Sequence, residues 1–101
     1  MKEKEIQKVI SEYLTLKRIF FYRNNSGAFR SEGGGFYRFG ATGSPDIVAV
    51  IRGKYIGIEV KTERGILSPG QKQFKENLEK AGGIYLVVRS LNELLDQLNC
   101  Y

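Results

Sequence analysis

Two runs of β-branched and aromatic residues constrain the fold of this chain most, because only a tight turn separates them. Residues 47–51 and 55–60 have the composition of β-strands, and Arg52, Gly53 and Lys54 lie between them. This spacing predicts a β-hairpin. The hairpin in turn fixes which side chains share a face, because side chains alternate along each strand.

Three charged side chains fall on one face of this hairpin. A three-residue loop would move Asp46 to the other face, but we predict a two-residue loop at Gly53 and Lys54. In that register Asp46 lies opposite Lys61 on the neighbouring strand, and Glu59 is the diagonal neighbour of Asp46 on the same strand as Lys61. Glu59 and Lys61 are two residues apart and point the same way, so the three side chains share a face. Charges on an apolar hairpin are costly unless they pair or bind an ion.

The trio of Asp46, Glu59 and Lys61 has two interpretations. Two carboxylates that share a divalent cation, beside a lysine, supply what phosphodiester hydrolysis requires, because the ion polarises the phosphate and acidifies a water molecule. A structural ion pair between Asp46 and Lys61, with Glu59 exposed, would use the same residues without any chemistry. Spacing alone leaves both interpretations open.

Composition limits the metal and the partner. The chain has 101 residues, 42% of them apolar, which predicts one domain over residues 1–101 with a modest core. With no histidine and one cysteine, the usual zinc sites and histidine triads are excluded, and oxygen ligands favour Mg²⁺ or Mn²⁺. The formal charge of +5 fits a polyanionic partner such as nucleic acid. Since no apolar run approaches the roughly 18 residues of a membrane span, we expect a cytoplasmic protein with no membrane partner.

The N-terminal segment predicts an amphipathic helix over residues 3–16, because its apolar residues recur at helical spacing. Glu5 lies at the edge of the apolar stripe, where a carboxylate can reach an interior site. Equally, Glu5 can be a first-turn acid that interacts favourably with the helix dipole.

Basic and aromatic residues surround a glycine-rich segment that follows the first predicted strand, residues 19–23. Such residues on a flexible segment suit phosphate contact and base stacking. A small antiparallel excursion with a minor aromatic cluster explains the aromatic residues as well, but it explains the arginines less well. The candidate DNA contacts are Arg23, Asn25, Arg30, Arg38 and Ser44.

A second helix is predicted from Ser68, with Ser68 as N-cap, Pro69 at the first position and Gln71 at the capping-box position. The Gln71 side chain either caps this helix or points toward the acidic trio. A continuous apolar run at residues 84–88 predicts a strand covered on both faces, and Ser90 opens a last helix. The predicted order is α-β-β-β-α-β-α, an α/β fold with a mixed central β-sheet flanked by helices.

The motifs of this chain resemble those of a known nuclease family. Pro45-Asp46, followed thirteen residues later by Glu59-Val60-Lys61, resembles the PD-(D/E)XK nuclease signature. The flanking motifs are similar to those of the VRR-NUC branch in its small, stand-alone form found in phages and bacteria. They are Glu5-Ile6-Gln7, Arg23-Asn24-Asn25-Ser26-Gly27, Gly43-Ser44-Pro45-Asp46, and Ser68-Pro69 with Gln71. The resemblance covers nearly the whole chain and implies a restriction-endonuclease-like core.

The resemblance implies a role for each matching residue of the signature. Asp46 and Glu59 would be metal ligands, the backbone carbonyl of Val60 a further one, and Lys61 the catalytic lysine. Glu5 would match the first-helix acid that completes the metal site.

The resemblance also implies a substrate and an assembly. Gln71 would match the polar residue that opens the helix after the core hairpin. Small members of the family resemble Holliday-junction resolvases, which cut two strands of a branched DNA as homodimers. We therefore expect an endonuclease that depends on Mg²⁺ or Mn²⁺ and acts on branched DNA as a homodimer.

Two other functions stay consistent with the sequence. A nucleic-acid-binding module of a phage or repair assembly would keep the fold without cutting, although acids facing phosphate do not help binding. A plain interaction domain with a cross-strand ion pair would leave Glu5 and the arginine-rich segment unexplained.

Overall fold

A four-stranded mixed sheet with helices on both faces forms the body of the protein, and a two-stranded hairpin forms a separate sheet. The computed structural model describes residues 1–24, 27–30, 36–39 and 41–99, of which 27–30 and 36–39 are described by their backbone alone. The elements are α1 Glu3–Leu16, β1 Phe20–Arg23, β2 Gly27–Arg30, β3 Phe36–Phe39, β4 Ile47–Ile51, β5 Lys54–Val60, α2 Pro69–Lys80, β6 Ile84–Val88 and α3 Leu91–Leu98. The predicted order is confirmed, with β2 and β3 as an additional hairpin.

The sheet has the strand order β1-β4-β5-β6. Strand β4 is antiparallel to both β1 and β5, whereas β6 is parallel to β5. Parallel neighbours need a crossover connection, and α2 supplies it. The hairpin of β2 and β3 is antiparallel and forms a sheet of its own.

The turn between β4 and β5 differs from the predicted one. Ile51 pairs with Lys54, so the loop consists of Arg52 and Gly53 rather than Gly53 and Lys54. Arg52 has φ 53° and Gly53 has φ 79°, and two positive values are the signature of a type I′ turn. The corrected register moves every cross-strand partner by two residues, which leaves each side chain on its predicted face.

The core lies between one face of the sheet and the helices α1 and α3. Strands β4 and β5 present alternate residues to this face, and β6 adds its own. Burying each large aliphatic side chain contributes about 1.5–3 kcal/mol relative to leaving it exposed. The largest side chains that are fully buried here are Ile10, Leu14, Ile47, Ile56, Ile58 and Leu94.

Helix α2 lies on the opposite face of the sheet, where Phe74 packs against Tyr85 with ring centroids 6.0 Å apart. Its start is the predicted one, since the Ser68 hydroxyl accepts a hydrogen bond from the Gln71 N–H at 3.2 Å. Its end at Lys80 is followed by Gly82 with φ 92°, a conformation that favours glycine. Within the described ranges, no helix has the length and apolar character needed to cross a bilayer.

Candidate active site

The two acidic residues of the trio face each other directly. Ile47 pairs with Ile58, and continuing this register by one residue places Asp46 opposite Glu59. The predicted pairing of Asp46 with Lys61 is therefore wrong, because the turn is one residue earlier than expected. Both side chains, and that of Lys61, still lie on the face that α2 covers, away from the apolar core.

Glu59 is an acid in a buried position. Its side chain is 3% exposed. Oε2 accepts a hydrogen bond from Gln71 Nε2 at 3.0 Å and lies 3.7 Å from Lys61 Nζ. Oε1 is also buried, but it has no hydrogen-bond partner among the described residues. One carboxylate oxygen is thus held in place while the other is unsatisfied.

Burial raises the pKa of Glu59 to about 8 from an ordinary value of 4.5. The negative charge of Asp46 adds to this rise, and the charge of Glu3 adds further. Lys61 lowers the pKa but does not compensate for the other effects. The site therefore lacks positive charge for two ionised carboxylates.

The position of Asp46 is fixed from two sides. Its Oδ2 accepts the backbone N–H of Val60 at 2.8 Å. Its own carbonyl accepts the backbone N–H of Asn24 at 2.8 Å, and the Asn24 amide donates to the Pro45 carbonyl at 3.0 Å. Pro45 packs over Gly57, where an added Cβ would lie 2.6 Å from Pro45 Cγ. The end of β1 and the bare backbone of β5 together place the carboxylate beside Glu59.

Gln71 performs both of the roles between which the sequence did not decide. Its Oε1 accepts the Ser68 N–H at 2.9 Å, which completes the capping box of α2. Its Nε2 donates to Glu59 at 3.0 Å. A carboxamide has both an acceptor and a donor end, so the two roles do not compete. Gln71 thereby attaches the start of α2 to the buried acid.

Tyr85 is a site residue that the sequence analysis did not identify. Its side chain is 4% exposed, and its hydroxyl donates to the Gly43 carbonyl at 3.3 Å. Burial raises the pKa of Tyr85, and the charges of Glu59 and Asp46 raise it further, so the phenol stays a donor. The tyrosine within the apolar run 84–88 indicates a nearby polar group, because a buried phenol needs a hydrogen-bond partner.

Gly43 connects this tyrosine to α2. It has φ +80°, and an added Cβ would overlap the carbonyl of Gly70 and lie 2.8 Å from the Gln71 nitrogen. Only glycine fits so close to the helix start. The segment before Asp46 therefore packs directly on the first turn of α2.

The structure does not bring Glu5 to the two carboxylates. Glu5 is exposed, and its Oε1 accepts the Lys2 N–H in a long hydrogen bond of 3.4 Å at the start of α1. This arrangement corresponds to the alternative interpretation, a first-turn acid. Glu3 is the acid of α1 whose charge reaches Glu59. The sequence did not distinguish the two, because the position of the helix relative to the sheet decides which one approaches.

The residues present fit a divalent cation. Across the described part of the chain, no group of three or more Asp, Glu, His or Cys side chains is placed to share an ion, so the carboxylates available are those of Asp46 and Glu59. A cation between them would satisfy the unpaired Oε1 of Glu59 and offset the burial and the repulsion by Asp46 that keep its pKa high. Oxygen donors suit Mg²⁺ or Mn²⁺.

A comparison with solved structures covers nearly the whole chain. The chain matches a solved structure described as a VRR_NUC domain with a TM-score of 0.70 and 24% sequence identity, over 98% of this chain and 96% of the other. The chain has the fold of a VRR_NUC domain. No protein-family model matches the sequence, and no curated protein does.

Two of the predicted DNA contacts lie in the body of this VRR_NUC fold. The Arg23 guanidinium donates to Gln7 of α1, and the pairing of Arg23 with Ile47 places it on the face opposite the carboxylates. Ser44 is half-buried, and its hydroxyl is without a hydrogen-bond partner in the described ranges. Arg23 therefore does not join the site, whereas Ser44 lies two residues from Asp46.

The other predicted DNA contacts fall on or beside the β2–β3 hairpin. Arg30 pairs with Phe36 and Arg38 with Ala28 along its backbone. The side chains of Arg30 and Arg38, and the whole of Asn25, lie outside the described residues. Their contact with DNA stays a prediction.

Proposed function

We propose that this protein is a divalent-metal-dependent endonuclease that hydrolyses phosphodiester bonds in DNA. One observation carries the proposal. Glu59 is buried next to a second carboxylate, one of its oxygens has no hydrogen-bond partner among the described residues, and a lysine lies 3.7 Å from the other oxygen. Such an arrangement is unfavourable for stability and is typical of a catalytic centre. The fold of a VRR_NUC domain supports the same proposal.

Each residue of the site has a distinct role in this proposal. Asp46 and Glu59, with the carbonyl of Val60, would bind Mg²⁺ or Mn²⁺. Such an ion, when bound, polarises the scissile phosphate and makes a water molecule more acidic. Lys61 orients the attacking water and stabilises the negative charge that develops on the phosphate. Gln71 holds Glu59 in the orientation that the metal requires.

The substrate and the assembly extend this proposal. We propose branched DNA as the substrate and a homodimer as the active form. The chain provides one Asp46–Glu59–Lys61 site, and cutting two opposed strands of a junction requires two. A two-fold symmetric dimer supplies the second site in the matching orientation. The net charge of +5 favours association with the phosphate backbone.

The experiment compares cleavage of a four-way junction with cleavage of a linear duplex of the same sequence. Each substrate is incubated with Mg²⁺, with Mn²⁺ and with a chelator. Lys61→Ala removes the catalytic lysine, and Lys80→Ala is the matched control, because Lys80 is exposed at the far end of α2 in a pair with Glu76. We expect metal-dependent cutting of the junction by the wild type and by Lys80→Ala, and none by Lys61→Ala.

Other results would change the assignment. Equal rates of cutting for both substrates would support the nuclease assignment and contradict the preference for branched DNA. Tight binding of the junction without cutting in any metal would favour the non-cleaving module. Sedimentation measurements test the homodimer, because they give the oligomeric state of the protein alone and with the junction.

A further inference from the structure

The face of the sheet that carries Asp46 and Glu59 continues away from them as a row of apolar and aromatic side chains. In register, Phe20 of β1 pairs with Val50 of β4, which pairs with Tyr55 of β5. One step closer to the carboxylates, Tyr22 pairs with Val48, and Val48 with Gly57. We call Phe20, Tyr22, Val50 and Tyr55 the aromatic face.

These side chains are unusually exposed for their type. Phe20 is 68% exposed, Tyr22 48% and Val50 38%. Tyr55 is half-buried, and burial raises its pKa, with a further contribution from the charge of Tyr22. Exposed aromatic rings that are clustered on one face of a sheet, rather than scattered, indicate a binding surface.

The aromatic face is continuous with the candidate active site. Rows two residues apart along a strand are separated by about 7 Å. The row of Tyr22 and Val48 therefore lies about 7 Å from the row of Asp46 and Glu59, and the row of Phe20 lies about 14 Å from it. A nucleic acid strand whose phosphate lies at the carboxylates can reach both rows with its neighbouring nucleotides.

We propose that the aromatic face binds unpaired nucleobases of the DNA substrate by stacking on Phe20 and Tyr22. The proposal rests on the proposed nuclease function. Base stacking on aromatic side chains does not depend on sequence, because every base has a π-face. Unpaired bases are available at flaps, gaps and strand ends, and at a junction where base pairs open at the branch point, whereas a paired duplex keeps its bases stacked on each other. The aromatic face therefore selects for DNA with unpaired bases next to the bond that is cut.

The size of the aromatic face favours bases over a second protein chain. With roughly 150–250 Å² for a whole aromatic side chain, the exposed parts of Phe20, Tyr22 and Val50 amount to about 300 Å². A stable protein interface buries about 800 Å² on each partner.

The charge around the aromatic face also matches a polyanion. None of its four residues is acidic, and Arg52 is exposed at the adjacent turn. The protein as a whole has a net charge of +5. Stacking on the rings combined with cations at the border is the usual pattern of single-strand binding.

The test measures binding in chelator, so that no DNA is cut. The probes are a labelled single-stranded oligonucleotide and an abasic oligonucleotide of equal length, which keeps the phosphates but has no bases. The variant is Phe20→Val with Tyr22→Val, since valine is suited to strands and keeps the positions apolar. Tyr22→Phe keeps the ring, and Leu16→Ala removes an 80% exposed residue of α1 as a matched surface control.

We expect the double variant to lose at least about tenfold in affinity for the base-bearing strand. Its affinity for the abasic strand and the salt dependence of binding should stay unchanged, because no phosphate contact is removed. Tyr22→Phe and Leu16→Ala should bind like the wild type.

Three results would overturn the proposal. They are an unchanged affinity for the base-bearing strand, an equal loss for both probes, and a loss of self-association in the double variant with DNA affinity retained. The last would make the aromatic face a contact between two copies of the chain. Failure of the nuclease function is a separate result, seen as the absence of cutting by the wild type in Mg²⁺ or Mn²⁺.

Discussion

Replacing Glu59 with glutamine should stabilise the metal-free protein while abolishing cleavage. Glutamine has nearly the shape of a protonated glutamate. It can accept the hydrogen bond from Gln71 and donate one to Asp46, but it carries no charge. The variant therefore keeps the contacts of the site and removes the ionisation that burial makes unfavourable.

The magnitude follows from the two pKa values of Glu59, about 8 in the folded protein and 4.5 as its ordinary value. Between these pH values the folded state binds more protons at Glu59 than the unfolded state does. The free energy of unfolding therefore keeps the full contribution of protonated Glu59 below pH 4.5 and loses it as the pH rises toward 8. Linkage gives a loss of about 2–3 kcal/mol between pH 5 and pH 7. This is a large part of the 5–15 kcal/mol that stabilises a typical domain.

The assay is urea unfolding in chelator at pH 5, 6, 7 and 8 for the wild type, for Glu59→Gln and for Glu63→Gln, which changes an exposed loop glutamate. The difference in unfolding free energy between Glu59→Gln and the wild type should grow to about 3 kcal/mol at pH 7. Added Mn²⁺ should stabilise the wild type and not Glu59→Gln. Parallel pH curves for the wild type and Glu59→Gln would refute the reasoning, because Glu59 would then not be a buried acid with a raised pKa.

The remaining predictions concern the residues that position the site. For each variant, urea unfolding measures the stability and single-turnover cleavage measures the activity. Ser68→Ala should cost about 1 kcal/mol by removing the cap of α2 and leave cleavage nearly unchanged. Gln71→Ala should cost a similar amount and also slow cleavage, because Glu59 loses its hydrogen bond; equal cleavage by the two variants would contradict this. Gly57→Ala should cost about 1–3 kcal/mol and slow cleavage, since the methyl group would displace Pro45. Arg52→Asn should stabilise by about 0.5–1 kcal/mol without affecting cleavage, because asparagine suits the positive φ of the turn.

The sequence predicted the elements well because the signals were local. Helical spacing defined α1, the pattern from Ser68 to Gln71 defined the start of α2, and the apolar run 84–88 defined β6. Each of these patterns acts within one element and its caps. The face shared by Asp46, Glu59 and Lys61 was also predictable, because side-chain alternation tolerates a register error of two residues.

The details that the sequence missed depend on contacts between distant residues. The loop was assigned to Gly53 and Lys54, whereas the protein places Arg52 in a left-handed conformation that an arginine rarely adopts. Tyr85 and Asn24 join the site through partners that are far away in the chain. The charge of Glu3, rather than that of Glu5, acts on Glu59 because of how α1 packs on the sheet. No local pattern contains this information.

The segment with the β2–β3 hairpin leaves the body of the protein at Asn24 and returns at Gly43, and both ends are attached to the site. Asn24 is bonded to Pro45 and Asp46, and Gly43 is held between Tyr85 and the start of α2. Because these attachments lie outside residues 25–40, those residues can change in length or sequence without moving the carboxylates. Under the proposed nuclease function, this segment is the place where evolution or engineering can exchange one DNA substrate for another and leave Asp46, Glu59 and Lys61 in position.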